Sequence, residues 1–198
     1  MLIAARANRN RVLPCRSDAM RVPRKHWAVV FLSQSMENEP LEEPIIDLDS
    51  DAYFMGEALR QARKACRADE VPVGAVIARA GQIIARAFNQ VETLKDATAH
   101  AEMLAITQAE SVLGDWRLND CDLYVTTEPC PMCSGAIVHA RLRRVVVGCP
   151  DPKGGGAGGL LNILQNPALN HQCELTPGVK LDECREILRQ FFLGKRQG

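Results

Sequence analysis

Residues 121–149 read CDLYVTTEPCPMCSGAIVHARLRRVVVGC, and this stretch decides the fold. Its ends, CDLYVT (121–126) and RVVVGC (144–149), are short apolar runs, the pattern of strands buried on both faces. Residues 130–142 between them are a helix candidate. Upstream, residues 71–89 (VPVGAVIARAGQIIARAFN) hold two runs that flank Ala80-Gly81 and predict a hairpin. Residues 52–68 (AYFMGEALRQARKACRA) put Phe54, Ala58, Ala62 and Ala65 near helical spacing, with Leu59 and Cys66 beside them. Asp49, Ser50 and Asp51 offer N-caps for that helix. Residues 100–113 are helical in pattern, with Asp96 or Thr98 as the cap candidate. Downstream lie a glycine-rich loop (DPKGGGAGG, 151–159), a short apolar piece (160–164) and a closing amphipathic helix (181–194). Strands alternating with helices imply a sheet covered on both faces, with antiparallel pairing at the hairpin. The expected fold class is α/β, a three-layer α/β/α sandwich with a mixed central sheet.

The chain has 198 residues, of which 46% are hydrophobic and 24% charged, an ordinary balance for a globular protein. That excludes a wholly disordered chain, a collagen-like repeat and a disulfide mini-protein. Its 24 basic and 24 acidic residues cancel, but they are segregated. Residues 1–35 carry seven basic residues against Asp18 alone, net +6. Residues 36–51 carry seven acids and no base, net −7. The body from residue 52 onward is then +1. Residues 1–50 are therefore expected to be a poorly ordered extension, a basic arm followed by an acidic linker with Pro40 and Pro44. The arm reads as an organellar transit peptide, as sequence ahead of a true start at Met20 or Met36, or as a real functional arm. Residues 51–198 are expected to form the functional domain. The eight cysteines suit a reducing compartment, with free or metal-bound thiols.

Two short motifs carry chemistry: His100-Ala101-Glu102 and Pro129-Cys130-Pro131-Met132-Cys133. Cysteines at i and i+3 share one helix face, so both sulfurs can meet one ion. At a helix start, the dipole and free N–H groups favour thiolates. A histidine from the other helix start would complete three protein ligands, the arrangement that leaves zinc a fourth position for water. Glu102 leaves its helix in a different direction from His100 and is better placed to move protons than to bind metal. A structural zinc site would need a fourth ligand. Cys121 and Cys149 are the nearest candidates, and both sit in apolar strand runs. A redox pair would need neither His100 nor Glu102.

These motifs resemble the H-x-E and P-C-x-x-C signature of the cytidine/deoxycytidylate deaminase superfamily. The likeness extends through Glu70 to Ala75, Asn89, Asp96 to Glu102, Tyr124 to Cys130, Gly135-Ala136, Asp151 to Lys153 and Asn170-His171, which look like the bacterial tRNA-specific adenosine deaminases. It covers about residues 54–196 and not the first 50. The resemblance implies one Zn2+ per subunit, held by His100, Cys130 and Cys133. It implies a hydrolytic deamination of the wobble adenosine of a tRNA anticodon to inosine, by zinc-hydroxide attack with Glu102 as the catalytic proton shuttle. Asn89 would hold the flipped base, and Asp151, Lys153, Asn170 and His171 would contact substrate. A homodimer, a tRNA anticodon loop as partner, no membrane and a cytoplasmic setting go with it. Cys149-Pro150 and the glycines at 154–156 depart from the family pattern beside Asp151.

Arg141, Arg143 and Arg144 could join Lys153 in a basic patch, or form an ordinary solvated face. Lys195 and Arg196 could grip RNA or complement the last helix's dipole. His139 reads as a packed or interface histidine. The glycine-rich loop lacks the pattern of a phosphate-binding loop. Two other functions fit the residues: a small-molecule deaminase of guanine or cytosine, and a non-catalytic binding subunit, against which the presence of Glu102 speaks.

Overall fold

A computed structural model describes residue 47 and residues 50–197. The expected extension over residues 1–50 therefore lies almost wholly outside the described residues. The described body is one unit, built in the order α1 (Asp51–Arg67), β1 (Gly74–Arg79), β2 (Gln82–Phe88), α2 (Val91–Leu94), α3 (Ala101–Leu113), β3 (Cys121–Thr127), α4 (Pro131–His139), β4 (Arg144–Cys149), β5 (Glu174–Pro177) and α5 (Leu181–Gln197).

The five strands form a single sheet in the order β2-β1-β3-β4-β5. β1 pairs antiparallel with both β2 and β3, whereas β3, β4 and β5 run parallel. The hairpin turn falls at Ala80-Gly81, where both residues take positive φ (48° and 76°), as a tight two-residue turn of primed type requires.

Alternation along the strands sorts the core into two layers. Ala75, Ile77, Leu123, Val125, Val145 and Val147 pack on one face with Ala101, Ala105 and Ala109 of α3 and Ile137 of α4. Val76, Ala78, Tyr124 and Val146 pack on the other with Phe54, Met55, Ala58 and Leu59 of α1 and Cys184 of α5. β3 and β4 are apolar at successive positions because both of their faces are covered. The structure is thus the expected α/β/α sandwich with a mixed sheet.

Several local expectations shift. Ser50 is the N-cap of α1: its Oγ accepts from Tyr53 N (3.2 Å) and donates to the Asp47 carbonyl (2.7 Å). His100 itself stands at the N-cap of α3, while Asp96 instead accepts from Thr98 N and Oγ1 in the preceding turn. Cys66 is exposed, and Met55 takes the core position. α4 runs from Pro131 to His139, shorter than residues 130–142. β5 and α2 were not expected. β5 is a short edge strand of mostly half-buried and exposed residues, so it lacks the apolar run that marks β3 and β4.

Candidate active site

The parallel strand β3 ends at Thr127, and the chain passes through Glu128 and Pro129 to Cys130, the N-cap of α4. Pro131 occupies the first helical position, where its missing N–H costs nothing. Cys133 follows one turn later and is fully buried. α3 begins beside it, with His100 at its N-cap and Glu102 in its first turn, 3% exposed. Two helix starts thus converge at the carboxyl ends of β3 and β4, where open α/β sheets place their ligand crevices.

His100 Nδ1 lies 3.6 Å from Cys130 Sγ and 3.5 Å from Cys133 Sγ. The three ligand atoms fall within 4.8 Å of one another and could hold a metal ion. A tetrahedral zinc with bonds of about 2.3 Å to sulfur and 2.0–2.1 Å to nitrogen separates those atoms by about 3.5 Å, so the donor set fits that ion. Hydrogen bonds from Cys133 and His100 pull the Cys130 thiol down to about 4, and the His100 imidazole is raised chiefly by its bond to Cys130. The Cys133 thiol is pushed up by its bond to the Cys130 thiolate and by burial. Zinc capture near neutral pH therefore releases a proton from Cys133. Burial raises the Glu102 carboxyl to about 7, in the range of a group that can both take and give a proton at neutral pH.

The cavity above these residues is about 770 Å³. Of the sequence-derived candidates, Asn89, His100, Glu102, Cys130, Asp151 and Lys153 line it together. Asn89 is 6% exposed, and its Nδ2 donates to Glu70 Oε2 (3.2 Å). Glu70, 1% exposed, also accepts from Glu92 N (3.2 Å) and Thr93 N (2.6 Å). Burial alone would raise its carboxyl, but these donors hold it below its ordinary value. Glu70 thereby ties Asn89 to the start of α2.

Asn170 and His171 do not reach this cavity. They border a separate cleft with Trp116, His139, Arg141 and Leu169. His171 Nε2 sits 2.7 Å from the Leu142 carbonyl, and Arg141 donates to the Asn170 carbonyl. Nor do the three arginines form a patch with Lys153. Arg143 makes a two-pronged contact with Asp122 (2.9 and 2.8 Å), and Arg144 bridges Asp51 and Asp122. His139 is exposed rather than packed.

The cavity also takes Arg196 from α5, one of the two cations that the sequence offered as an RNA grip, and with it Leu188 and Phe192, which the sequence had not singled out. Their i, i+4, i+8 spacing is the signal that could have found them, since it puts them on one helix face. Lys195, one position away, pairs instead with Asp69 (2.6 Å).

The family model of the cytidine and deoxycytidylate deaminase zinc-binding region matches residues 48–149, and the chain belongs to that family of zinc-binding deaminases. It is 50% identical over 145 residues to the tRNA-specific adenosine deaminase of Bacillus subtilis (strain 168), spanning 73% of this chain and 90% of that one. Likeness at that level puts it in the tRNA-specific adenosine deaminase branch. A solved structure from studies of A-to-I editing by tRNA:A34 deaminases superposes with a TM-score of 0.67 at 45% identity, covering 69% of this chain and 99% of that chain. The guanine deaminase of Nitrosomonas europaea superposes with a TM-score of 0.64 at 25% identity, over 72% and 84% of the two chains.

Proposed function

We infer that the protein deaminates the wobble adenosine of a tRNA anticodon to inosine. The observation that carries this reading is one cavity lined by His100, Cys130, a buried carboxylate and a pinned asparagine, with fully buried Cys133 completing the three-ligand set beside it. The 50% identity to a tRNA-specific adenosine deaminase favours adenosine in tRNA over a free base.

His100, Cys130 and Cys133 would hold the zinc. When bound, zinc supplies an acidified water near neutral pH. Asn89, its Nδ2 tied to Glu70, has its carbonyl oxygen and second amide proton left for a base edge. The base must leave its stack to enter, and an anticodon loop allows this at lower cost than a duplex. The Glu102 carboxylate takes a proton from water and hands it to a ring nitrogen, then takes a second from the new C6 hydroxyl and delivers it to the exocyclic amine. Water adds at C6, the C6–N bond breaks, ammonia leaves, and the 6-oxo group of inosine remains. Burial of Glu102 suits this traffic, because its protonated and ionised forms lie close in free energy at neutral pH.

Asp151 and Lys153 stand at the cavity rim, where they would meet the anticodon backbone. A homodimer is part of the reading. The cleft with exposed Trp116, Leu169, His139 and Asn170 and half-buried His171 offers the apolar and polar surface that a second copy could cover. Among the described residues no helix is long and apolar enough to cross a membrane. A cytoplasmic setting belongs to the same reading, and a tRNA substrate supports it.

The test is incubation of the purified protein with an anticodon stem-loop bearing A at the wobble position, with free adenosine, cytidine and guanine in parallel. Inosine in the stem-loop is the expected product. Deamination of the free bases alone would overturn the reading.

A further inference from the structure

The glycine-rich loop over residues 151–159 wraps a carboxylate of the protein itself. Glu128 is 7% exposed, and its two oxygens accept three backbone N–H groups. Oε2 takes Asp151 N (2.9 Å), while Oε1 takes Ala157 N (2.9 Å) and Gly159 N (2.7 Å). The glycines follow from this. A Cβ on Gly155 would come within 2.2–2.5 Å of the Glu128 carboxyl, and one on Gly159 within 2.5 Å of Oε2. The loop is also stitched to the start of α4, where Gly156 N donates to the Pro129 carbonyl (2.7 Å). The loop's first turn then closes on Asp151, whose Oδ1 accepts from Lys153 N (3.0 Å) and Gly154 N (3.1 Å).

Pro150, Asp151 and Lys153 border the cavity, and Glu128 stands two residues before Cys130. One carboxylate thus links the strand that delivers a metal ligand to the loop that forms the opposite rim.

We propose that Glu128 is a positioning residue. By holding the amide of Asp151, it sets the height and angle at which Asp151 and Lys153 meet the RNA backbone, and so governs substrate capture. The proposal rests on the tRNA reading for its substrate, but the loop's anchoring can be measured without RNA.

Glu128→Gln discriminates well. Its single carbonyl oxygen can keep the pair of donors at Ala157 and Gly159, which turns its amide toward the Asp151 N–H. Donor then faces donor, and Asp151 alone is released. In RNA-free protein, hydrogen exchange at the Asp151 amide should quicken at least tenfold, with less change at Ala157 and Gly159. With the wobble-A stem-loop, KM should rise about tenfold while kcat stays within threefold and zinc remains at the wild-type ratio. Glu128→Asp, which is one methylene shorter but keeps the charge, should fall between Gln and wild type in KM. A lower melting temperature with unchanged KM would mark Glu128 as merely structural and overturn the proposal. Zinc loss would also overturn it, because Glu128 would then act on the metal ligand. If Glu128→Gln does not fold, Gly159→Ala pushes on Oε2 and the Asp151 carbonyl from the loop side and should raise KM alike; an unchanged KM there overturns the proposal. If the wild type leaves the stem-loop untouched, the tRNA reading fails, and the exchange data still decide the anchoring.

Discussion

The floor and the rim of the cavity are built on different principles. The floor holds His100, Glu102, Cys130 and Cys133, all within the first turn of two helices or at their N-caps. Short spacing places Glu102 beside His100 and Cys133 beside Cys130, and the two pairs meet because their helix starts converge over a sheet covered on both faces. The rim comes from distant pieces: Asn89 after β2, the loop at 151–159 and one face of α5. Its residues are held by long-range bonds, such as Glu70 to Asn89 and Glu128 to Asp151. Reaction chemistry thus rests on two compact motifs at converging helix starts, while substrate choice depends on how several separate segments are tied together.

Perturbing floor and rim separately tests that division. Cys133→Ser should have the largest effect. With one thiolate gone, zinc content by metal analysis should collapse and turnover should vanish with it. Glu102→Ala should keep zinc but lower kcat about 10²- to 10⁴-fold, the range of a positioned acid–base group; a zinc-loaded variant with wild-type kcat would end the shuttle assignment. On the rim, Asn89→Ala should cost about 10- to 100-fold in kcat/KM for the stem-loop, the effect of about 1–3 kcal/mol, with zinc unchanged.

Removing the metal exposes the floor's electrostatics. In chelator-stripped protein, Cys130 should react with iodoacetamide about tenfold faster at pH 6 than the buried thiols of Cys121, Cys173 and Cys184, which burial raises to about 11, 11 and 12. The sign follows from its lowered value. The thiolate persists down to about pH 4, so reactivity should stay level from neutral pH to about 5 and fall below 4. Site-resolved mass spectrometry reads this directly; a Cys130 rate that climbs only above pH 8 would contradict it. The smallest effect belongs to exposed Lys153. Lys153→Ala should weaken stem-loop binding a few-fold and reduce the slope of log affinity against log salt by about 1, with kcat intact.

Much of the floor was legible because its determinants are local. The two motifs holding His100, Glu102, Cys130 and Cys133 were read from residue type and spacing, with family likeness assigning their roles, and the strands at 121–126 and 144–149 from apolar runs that a doubly covered sheet requires, β3 running one residue further. The rim was legible in part. Asn89, Asp151 and Lys153 entered by family likeness and do line the cavity, whereas Asn170 and His171 border another cleft. Leu188 and Phe192 went unseen because an amphipathic pattern says that a helix has a face, not what that face looks onto, and of the two terminal cations only Arg196 reaches the cavity while Lys195 pairs with Asp69. The arginines at 143 and 144 looked free in sequence, yet Asp122 and Asp51 neutralise them from a neighbouring strand and from α1.

Residue type and local spacing carried the strand and helix pattern, the turn at Ala80-Gly81 and the pairing of Cys130 with Cys133 on one helix face. Each depends on residues a few positions apart, where backbone geometry fixes which side chains can meet. The purpose of the loop's glycines emerges from the fold. They leave room for a carboxylate that lies more than twenty residues away in the chain. Such an encounter is set by sheet register and by the path of the chain between, and no spacing rule along the sequence encodes it.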